Sequence, residues 1–369
     1  GTPEPETFQF SHVHQKLILE MCAKLKPKVS SGPDLISPKL LKTIIPIISE
    51  PFCHLVNLSF KTGYIPKEFK LAKVVPVFKS GERDDFNNYR PISLLSSFSK
   101  LFEKIVARQV LFFLNHRDLF YIHQYGFRKG HSTSHPVYHF LDKIYCSLDK
   151  ETPEYTLGIF IDLKKAFDTV DHEILLKKLE FYGFRNVANT WFRNYLTGRS
   201  QYVSINGVDS ESKDMLCGVP QGSVLGPLLF LIFINDLPSS IEFFTLLFAD
   251  DTTLQLSGSN LNDLYAKANI ELSKAQKWFE ANRLTLNVKK TKYILFRTTT
   301  MNVDFSNYSL ELDGKKIDRI GQNCKDTTFK FVGHYLDVFL TWDTHIMIHI
   351  IEPRPLGYCP ARNVSTMLV

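Results

Sequence analysis

Cysteine is sparse and scattered in this chain. Its six residues (Cys22, Cys53, Cys146, Cys217, Cys324 and Cys359) lie far apart in 369 positions, with no C-x-x-C and no Cys/His cluster. That spacing argues against a zinc module and against a disulfide framework, and it fits a reducing compartment. Long hydrophobic runs are lacking too. The longest, VLGPLLFLIFI at 224–234, has 11 residues, where a bilayer span needs about 20, so no membrane partner is expected. No signal peptide opens the chain. It starts GTPEPE without Met, as expected of a piece of a longer protein. Repeats and low-complexity tracts are missing, and 44% apolar with 22% charged residues is an ordinary globular composition.

Aromatics, by contrast, are abundant: 30 Phe and 15 Tyr can build cores or stack on bases. The net charge of +6 is unevenly spread. Residues 1–130 hold 19 Lys/Arg against 11 Asp/Glu, and residues 131–369 hold 25 against 27. A basic first third points to an anionic partner, and the slightly acidic remainder leaves carboxylates to bind cations.

Apolar spacing predicts a helix over 38–60, bent at Pro46, and another over about 97–114. LAKVVPVFK (71–79) reads as a strand, followed by the polar turn SGERDDFNN and YRPISLL. YTLGIFIDL (155–163) reads as a buried strand ending at Asp162, with Asp171 as the N-cap of the next helix. SQYVSING and SKDMLCGVPQG suggest a two-stranded ribbon before a helix from about 223 to 236. FFTLLFA and TTLQL read as a hairpin closed by a tight Asp250–Asp251 turn. A helix follows along Leu261, Leu264, Ala268, Leu272, Ala275 and Phe279, and short strands are expected near 292–297, 309–313 and 329–336. This irregular mixture predicts an α+β fold with an antiparallel sheet.

Paired carboxylates between two apolar runs need a reason. If the strand ending at Asp162 neighbours the hairpin, Asp162, Asp250 and Asp251 converge at one sheet edge. Magnesium prefers such oxygen ligands, and two ions roughly 3.5–4 Å apart suit an in-line phosphoryl displacement. Taken alone, a turn of two Asp is common and more often structural than catalytic.

Five blocks change that balance. NNYRPISLLSSFSKLFEKIV (87–106), QYGFRKGHST (124–133), FIDLKKAFDTVDH (160–172), GVPQGSVLGPLLFLIFINDLP (218–238) and FADDT (248–252) strongly resemble the reverse transcriptase domain of non-LTR, LINE-like, jockey-type retrotransposons. The resemblance runs in the family's order from about 30 to 345. It implies a right-hand polymerase fold: fingers over 31–154, a palm with an antiparallel sheet over 155–300 (fingers insertions possible), and the end of the palm with a primer grip over 301–345. The chain would be an RNA-directed DNA polymerase acting with two Mg²⁺ on an RNA template, a DNA primer and dNTPs. Action in the nucleus is implied in the same way.

The resemblance also implies roles. Asp162, Asp250 and Asp251 match the metal-binding carboxylates. Phe167 matches the ring that excludes a 2′-hydroxyl, the alternative being a core residue of the turn. Gln221 and Gly222 of PQG match the segment beneath the incoming nucleotide. Lys79 and Arg90 match the cations that hold the triphosphate, and a guanidinium fork suits phosphate oxygens. Arg128 faces nucleotide, template backbone or plain solvent. Lys290 in LNVKKTK matches a lysine that could donate a proton near pyrophosphate, against the alternative of a solvated face. FKFVGHYLD (329–337) resembles the primer-gripping strand pair. Asp168 and Asp171 read as turn and capping residues.

Two departures stand out. Residues 1–30 read as a leader remnant, where full elements carry an endonuclease domain upstream. Residues 346–369 have three prolines, no lysine and no helical periodicity, so an aberrant, truncated thumb is expected there. The rival functions are therefore a catalytically impaired remnant that at most binds nucleic acid, and a two-metal nuclease. Extension of a primer, binding alone or shortening of a primer separates the three.

Overall fold

In the computed structural model, which describes residues 2–321 and 324–351, helices α1 (Gln15–Ala23) and α2 (Pro38–Thr62) come first. The Ser37 side chain caps α2 by accepting from Leu40 N–H, and Gly63 in the left-handed region ends it. Strands β1 (Leu71–Phe78) and β2 (Tyr89–Leu94) precede α3 (Ser97–His116), α4 (Ser134–Leu148) and β3 (Tyr155–Ile161). Then come α5 (His172–Phe181), α6 (Val187–Leu196), β4 (Arg199–Ile205), β5 (Val208–Asp209), β6 (Lys213–Met215) and α7 (Leu225–Ile234). The hairpin β7 (Phe244–Phe248) and β8 (Asp251–Gly258) leads to α8 (Leu261–Ala281) and β9 (Lys292–Phe296). Short strands β10 (Glu311–Leu312), β11 (Lys315–Lys316), β12 (Asp318–Ile320), β13 (Phe329–Phe331) and β14 (His334–Leu336) precede α9 (Asp343–Ile351).

The chain divides into two compact units drawn from interleaved stretches. Residues up to Phe120 together with Phe167–Phe233 form the first unit; Tyr121–Ala166 with the described residues from Ile234 onward form the second.

In the first unit β1 pairs antiparallel with β2 and parallel with β4, and β4 also pairs with β5 and β6. Its helices meet around aromatic rings: Trp191 lies 5.7 Å from Phe102 and 5.5 Å from Phe10, and its indole N–H donates to Ser59 Oγ at 3.0 Å. By length and composition α2 is the one helix among those described that could cross a bilayer, a test that buried core helices also pass. Leu41, Ile45, Phe52, Val56 and Phe60 form its buried stripe, and it packs on α1, α3 and α6, so it serves here as a core helix.

The second unit holds a five-stranded sheet in the order β12-β9-β3-β8-β7. Its pairs are antiparallel except β12 with β9. Strand β3 sits in the middle and is buried along all but its first residue, as an uninterrupted apolar run requires. Phe140, Phe160, Phe296 and Phe331 cluster on one face. The mixture of helices with largely antiparallel sheets is the expected α+β class. One difference appears near the end: helix α9 runs through Ile351, where no helical pattern was expected beyond 346. MIHII carries apolar residues at helical spacing, and residues 352–369 lie outside those described.

Candidate active site

The second unit brings the three candidate carboxylates to one sheet edge by register. Strand β3 pairs with β8 from Tyr155↔Gly258 to Ile161↔Thr252. Asp162 follows the last β3 residue of this ladder and Asp251 precedes its β8 partner. The hairpin itself pairs Phe248 with Asp251, so its two-residue loop is Ala249–Asp250, and Asp251 opens β8. This corrects the expected Asp250–Asp251 turn. Ala249 takes φ +60°, as the first central residue of a primed hairpin turn must, because that twist matches the twist of the strands. Asp250 and Asp251 are exposed and Asp162 is half-buried.

Asp162 is braced by residues whose role was not foreseen. Its Oδ2 accepts from Asn287 Nδ2 at 2.7 Å, its carbonyl accepts from Asn287 N–H at 2.8 Å, and its own N–H donates to Thr291 Oγ1 at 3.2 Å. The N-x-x-K-T stretch thus holds Asp162 through Asn287 and Thr291, while Lys290 between them is exposed. Among the described residues no three His, Cys, Asp or Glu side chains already stand close enough to hold a metal ion between them. The donor set is still of the kind magnesium takes: carboxylate oxygens alone, one or two per ion, with water and substrate phosphate completing the shell.

Arg128 also lies in the second unit, half-buried. Its Nη1 donates to the carbonyls of Gln124 at 3.2 Å and Tyr121 at 3.5 Å, which ties its own loop. Phe331 is a core residue, 5.0 Å from Phe140. The strand pair expected over 329–337 is present as β13 and β14.

The first unit holds the other candidates. Lys79 and Arg90 are exposed at the loop end of the β1–β2 hairpin, where Arg90 pairs with Val77 and Lys79 N–H donates to Asn88 C=O at 2.8 Å. Gln221 C=O accepts from Ser93 N–H of β2 at 2.7 Å, and Gln221 Nε2 donates to Asp168 Oδ1 at 2.9 Å. Gly222 follows with φ +118°, and a Cβ there would lie 2.5 Å from Ser93 O, so only glycine fits the approach. Phe167 is half-buried in the turn Ala166–Thr169. Its ring lies 4.8 Å from Phe230, and its carbonyl accepts from Val219 N–H at 2.8 Å. Asp171 caps α5 as expected, accepting from Ile174 N–H at 2.9 Å.

A buried acid stands behind that loop. Glu103 Oε2 of α3 accepts from Val224 N–H at 2.6 Å and Leu225 N–H at 3.1 Å, at the start of α7. Burial pushes its pKa up, opposed by the buried Arg199 guanidinium and those two N–H groups. The sequence signal was a lone acid among the apolar residues of α3.

The sequence profile of the family described as reverse transcriptase (RNA-dependent DNA polymerase) matches residues 78–336, well over half of the chain. The chain belongs to this reverse transcriptase family. It is 30% identical over 361 residues to the probable RNA-directed DNA polymerase from transposon BS of Drosophila melanogaster, covering 94% of this chain and 38% of that protein. Similarity to the RNA-directed DNA polymerase from mobile element jockey of the same fly is 28% over 355 residues, covering 94% and 37%. The probable polymerase from transposon X-element is 31% identical over 226 residues, covering 60% of this chain and 24% of that protein. The chain therefore spans less than two fifths of the curated relatives named here, and the jockey-type resemblance drawn from its motifs stands.

Proposed function

We propose that this reverse transcriptase-family chain is an RNA-directed DNA polymerase. It would add dNTPs to the 3′-hydroxyl of a DNA primer on an RNA template and release pyrophosphate. The register that brings Asp162 and Asp251 to one sheet edge, with Asp250 in the adjoining loop, carries this reading, because carboxylates gathered at one edge suit cation binding. Two Mg²⁺ ions, when bound, would lower the pKa of the primer hydroxyl and offset charge on the leaving pyrophosphate.

The chain's own residues divide the remaining work. Asp162, Asp250 and Asp251 supply the carboxylate oxygens. Lys79 and Arg90 hold the triphosphate, with Arg128 as a further phosphate contact. Phe167 crowds the 2′ position of the sugar and so favours dNTPs. Gln221 and Gly222 meet the nucleotide, with the Gln221 amide oriented by Asp168. Lys290 donates a proton to pyrophosphate. The excess of basic residues before position 130 meets the template backbone, with an affinity that falls as salt rises.

In this reading the fingers occupy 31–154 and the palm 155–300, with 167–233 as its fingers-type insertion. The palm and primer grip end over 301–345, and the thumb begins at 346. A nuclear site of action belongs to the same proposal. The test is primer extension on poly(rA)/oligo(dT) with dTTP and Mg²⁺, beside an Asp250→Asn control. Extension abolished in the control is expected. Folded protein that binds the duplex without extending the primer, or that shortens it, would overturn the reading.

A further inference from the structure

The loop that carries Asp250 is held from outside its own hairpin. Leu247 N–H of β7 donates to His123 C=O at 3.0 Å, Tyr125 N–H donates to Leu247 C=O at 2.8 Å, and Gln124 bridges Leu247 in the parallel sense. Residues 121–126 therefore run along β7 like a short extra strand. Tyr121 OH adds a bond to Thr245 C=O at 2.9 Å, and the buried Gln124 Oε1 accepts from Gly126 N–H at 2.9 Å.

This strand ends with Gly126 lying directly on the loop. A Cβ built on Gly126 would stand 2.1 Å from Ala249 N, 2.8 Å from Ala249 Cα and 2.9 Å from the carbonyl carbon of Phe248. These are backbone atoms, which cannot swing aside as a side chain can. Glycine is needed here for space. Ala249, pressed from this side, holds the positive φ that an L-residue rarely adopts. Register pins the strands on both sides of the loop, so any displacement falls on the Ala249–Asp250 loop itself.

We propose that Gly126 is a positioning residue for Asp250: its bare backbone lets the 121–126 strand clamp the Ala249–Asp250 loop in its unfavourable turn, and so fixes the carboxylates that follow. The inference rests on the polymerase reading of Asp250 and Asp251, and hydrogen exchange separates the two. Gly126→Ala is expected to speed exchange of the amides at 248–252 by about tenfold while distant β3 amides keep their protection. Tyr121→Phe, which removes one clamp bond without adding bulk, is expected to act in the same direction more weakly, and it serves if Gly126→Ala does not fold. Mn²⁺ affinity of the protein without nucleic acid, read by electron paramagnetic resonance, should weaken in Gly126→Ala. kcat should fall by roughly 10–100-fold, the effect of about an ångström of misplacement, with a higher Mg²⁺ requirement and a nearly unchanged KM for dTTP. Ala249→Gly in the Gly126→Ala background should recover part of the loss, because glycine at 249 lets the loop shift. Unchanged exchange at 248–252 in both single variants would overturn the clamp, whatever the activity. Faster exchange with wild-type Mn²⁺ affinity would overturn the positioning role. A wild-type protein that extends no primer would remove the polymerase reading and leave exchange to decide the clamp.

Discussion

The second unit places two of its candidate carboxylates by a ladder, and the first places Gln221 and Gly222 by a few loop contacts. Asp162 and Asp251 sit at the ends of β3 and β8, which share seven register pairs. A slip of one residue would turn every side chain of β3 to the opposite face, so the buried face defends the register. Asp162 then has separate braces in Asn287 and Thr291. Gln221 and Gly222 have no ladder. Their own bonds are one from Ser93 and one to Asp168, in a loop tied by Gly218 N–H to Val170 C=O and Val219 N–H to Phe167 C=O and followed by the Glu103 cap of α7. Residues placed by a ladder should tolerate the loss of a brace better than residues placed by a few loop contacts.

The comparison can be broken at several points. The largest effect is expected from removing a ladder-placed carboxylate itself. Asp162→Asn should lower kcat for primer extension by on the order of 10³-fold, about 4 kcal/mol, with the unfolding midpoint nearly unchanged. Next comes the support of the first unit. Glu103→Ala removes a buried carboxyl group whose charge acts on the buried Arg199 guanidinium and leaves two N–H groups at the start of α7 without their acceptor. It should cost about 3–5 kcal/mol in urea unfolding, and Glu103→Gln, which keeps an acceptor oxygen, should cost less.

A paired substitution sharpens the contrast. Asp168→Ala removes the lone side-chain partner of the Gln221 amide and should raise KM for dNTP by about tenfold, the worth of one hydrogen bond to a charged group. Asn287→Ala removes a bond of the same amide-to-carboxylate kind, but one of several braces on Asp162, and should lower kcat by only about threefold because the ladder and the Thr291 brace remain. Steady-state kinetics of the two variants decide the matter. A larger loss from Asn287→Ala would mean that the ladder alone does not place Asp162.

The same contrast marks what the sequence could reveal. Strands β1 and β3 and helices α3 and α8 lie within a few residues of their expected positions, because alternation and helical spacing are local signals. The convergence of Asp162 with Asp250 and Asp251 followed from reading their strands as neighbours. Contacts made at long sequence separation left no such trace. Asn287 and Thr291 flanked a lysine that drew the attention, and Asp168 read as a turn residue. Nothing in the helical spacing of 97–114 marks Glu103 as a cap for a distant helix. Even the hairpin loop was displaced by one residue, because Ala249 is not a residue that advertises a positive φ, and the strand that presses on it lies more than a hundred positions away.

The smallest expected effect concerns the extra strand along β7. His123 Nδ1 lies 2.8 Å from Tyr125 OH, and its ring meets Phe244 edge-on at 4.8 Å. Burial, with His139 and Lys143 nearby, holds its pKa below the ordinary histidine value, and burial acts the same way on His131, with Arg128 and His135 adding to it. A histidine depressed in the folded state is neutral there while the unfolded chain still takes up a proton. Its contribution to stability is full above the unfolded value, about 6.5, and is lost as pH falls through the folded value. Acidification below that point should therefore loosen residues 121–126 first and speed exchange of the Leu247 amide, which donates to His123 C=O. His123→Gln, which cannot be protonated, should flatten that dependence, whereas the β3 amides, held from both sides by the ladder, should show little of it. Equal pH sensitivity in β3 and at Leu247 would mean that the extra strand and the ladder open together, and that the loop bearing Asp250 is no more weakly held than the strands beside it.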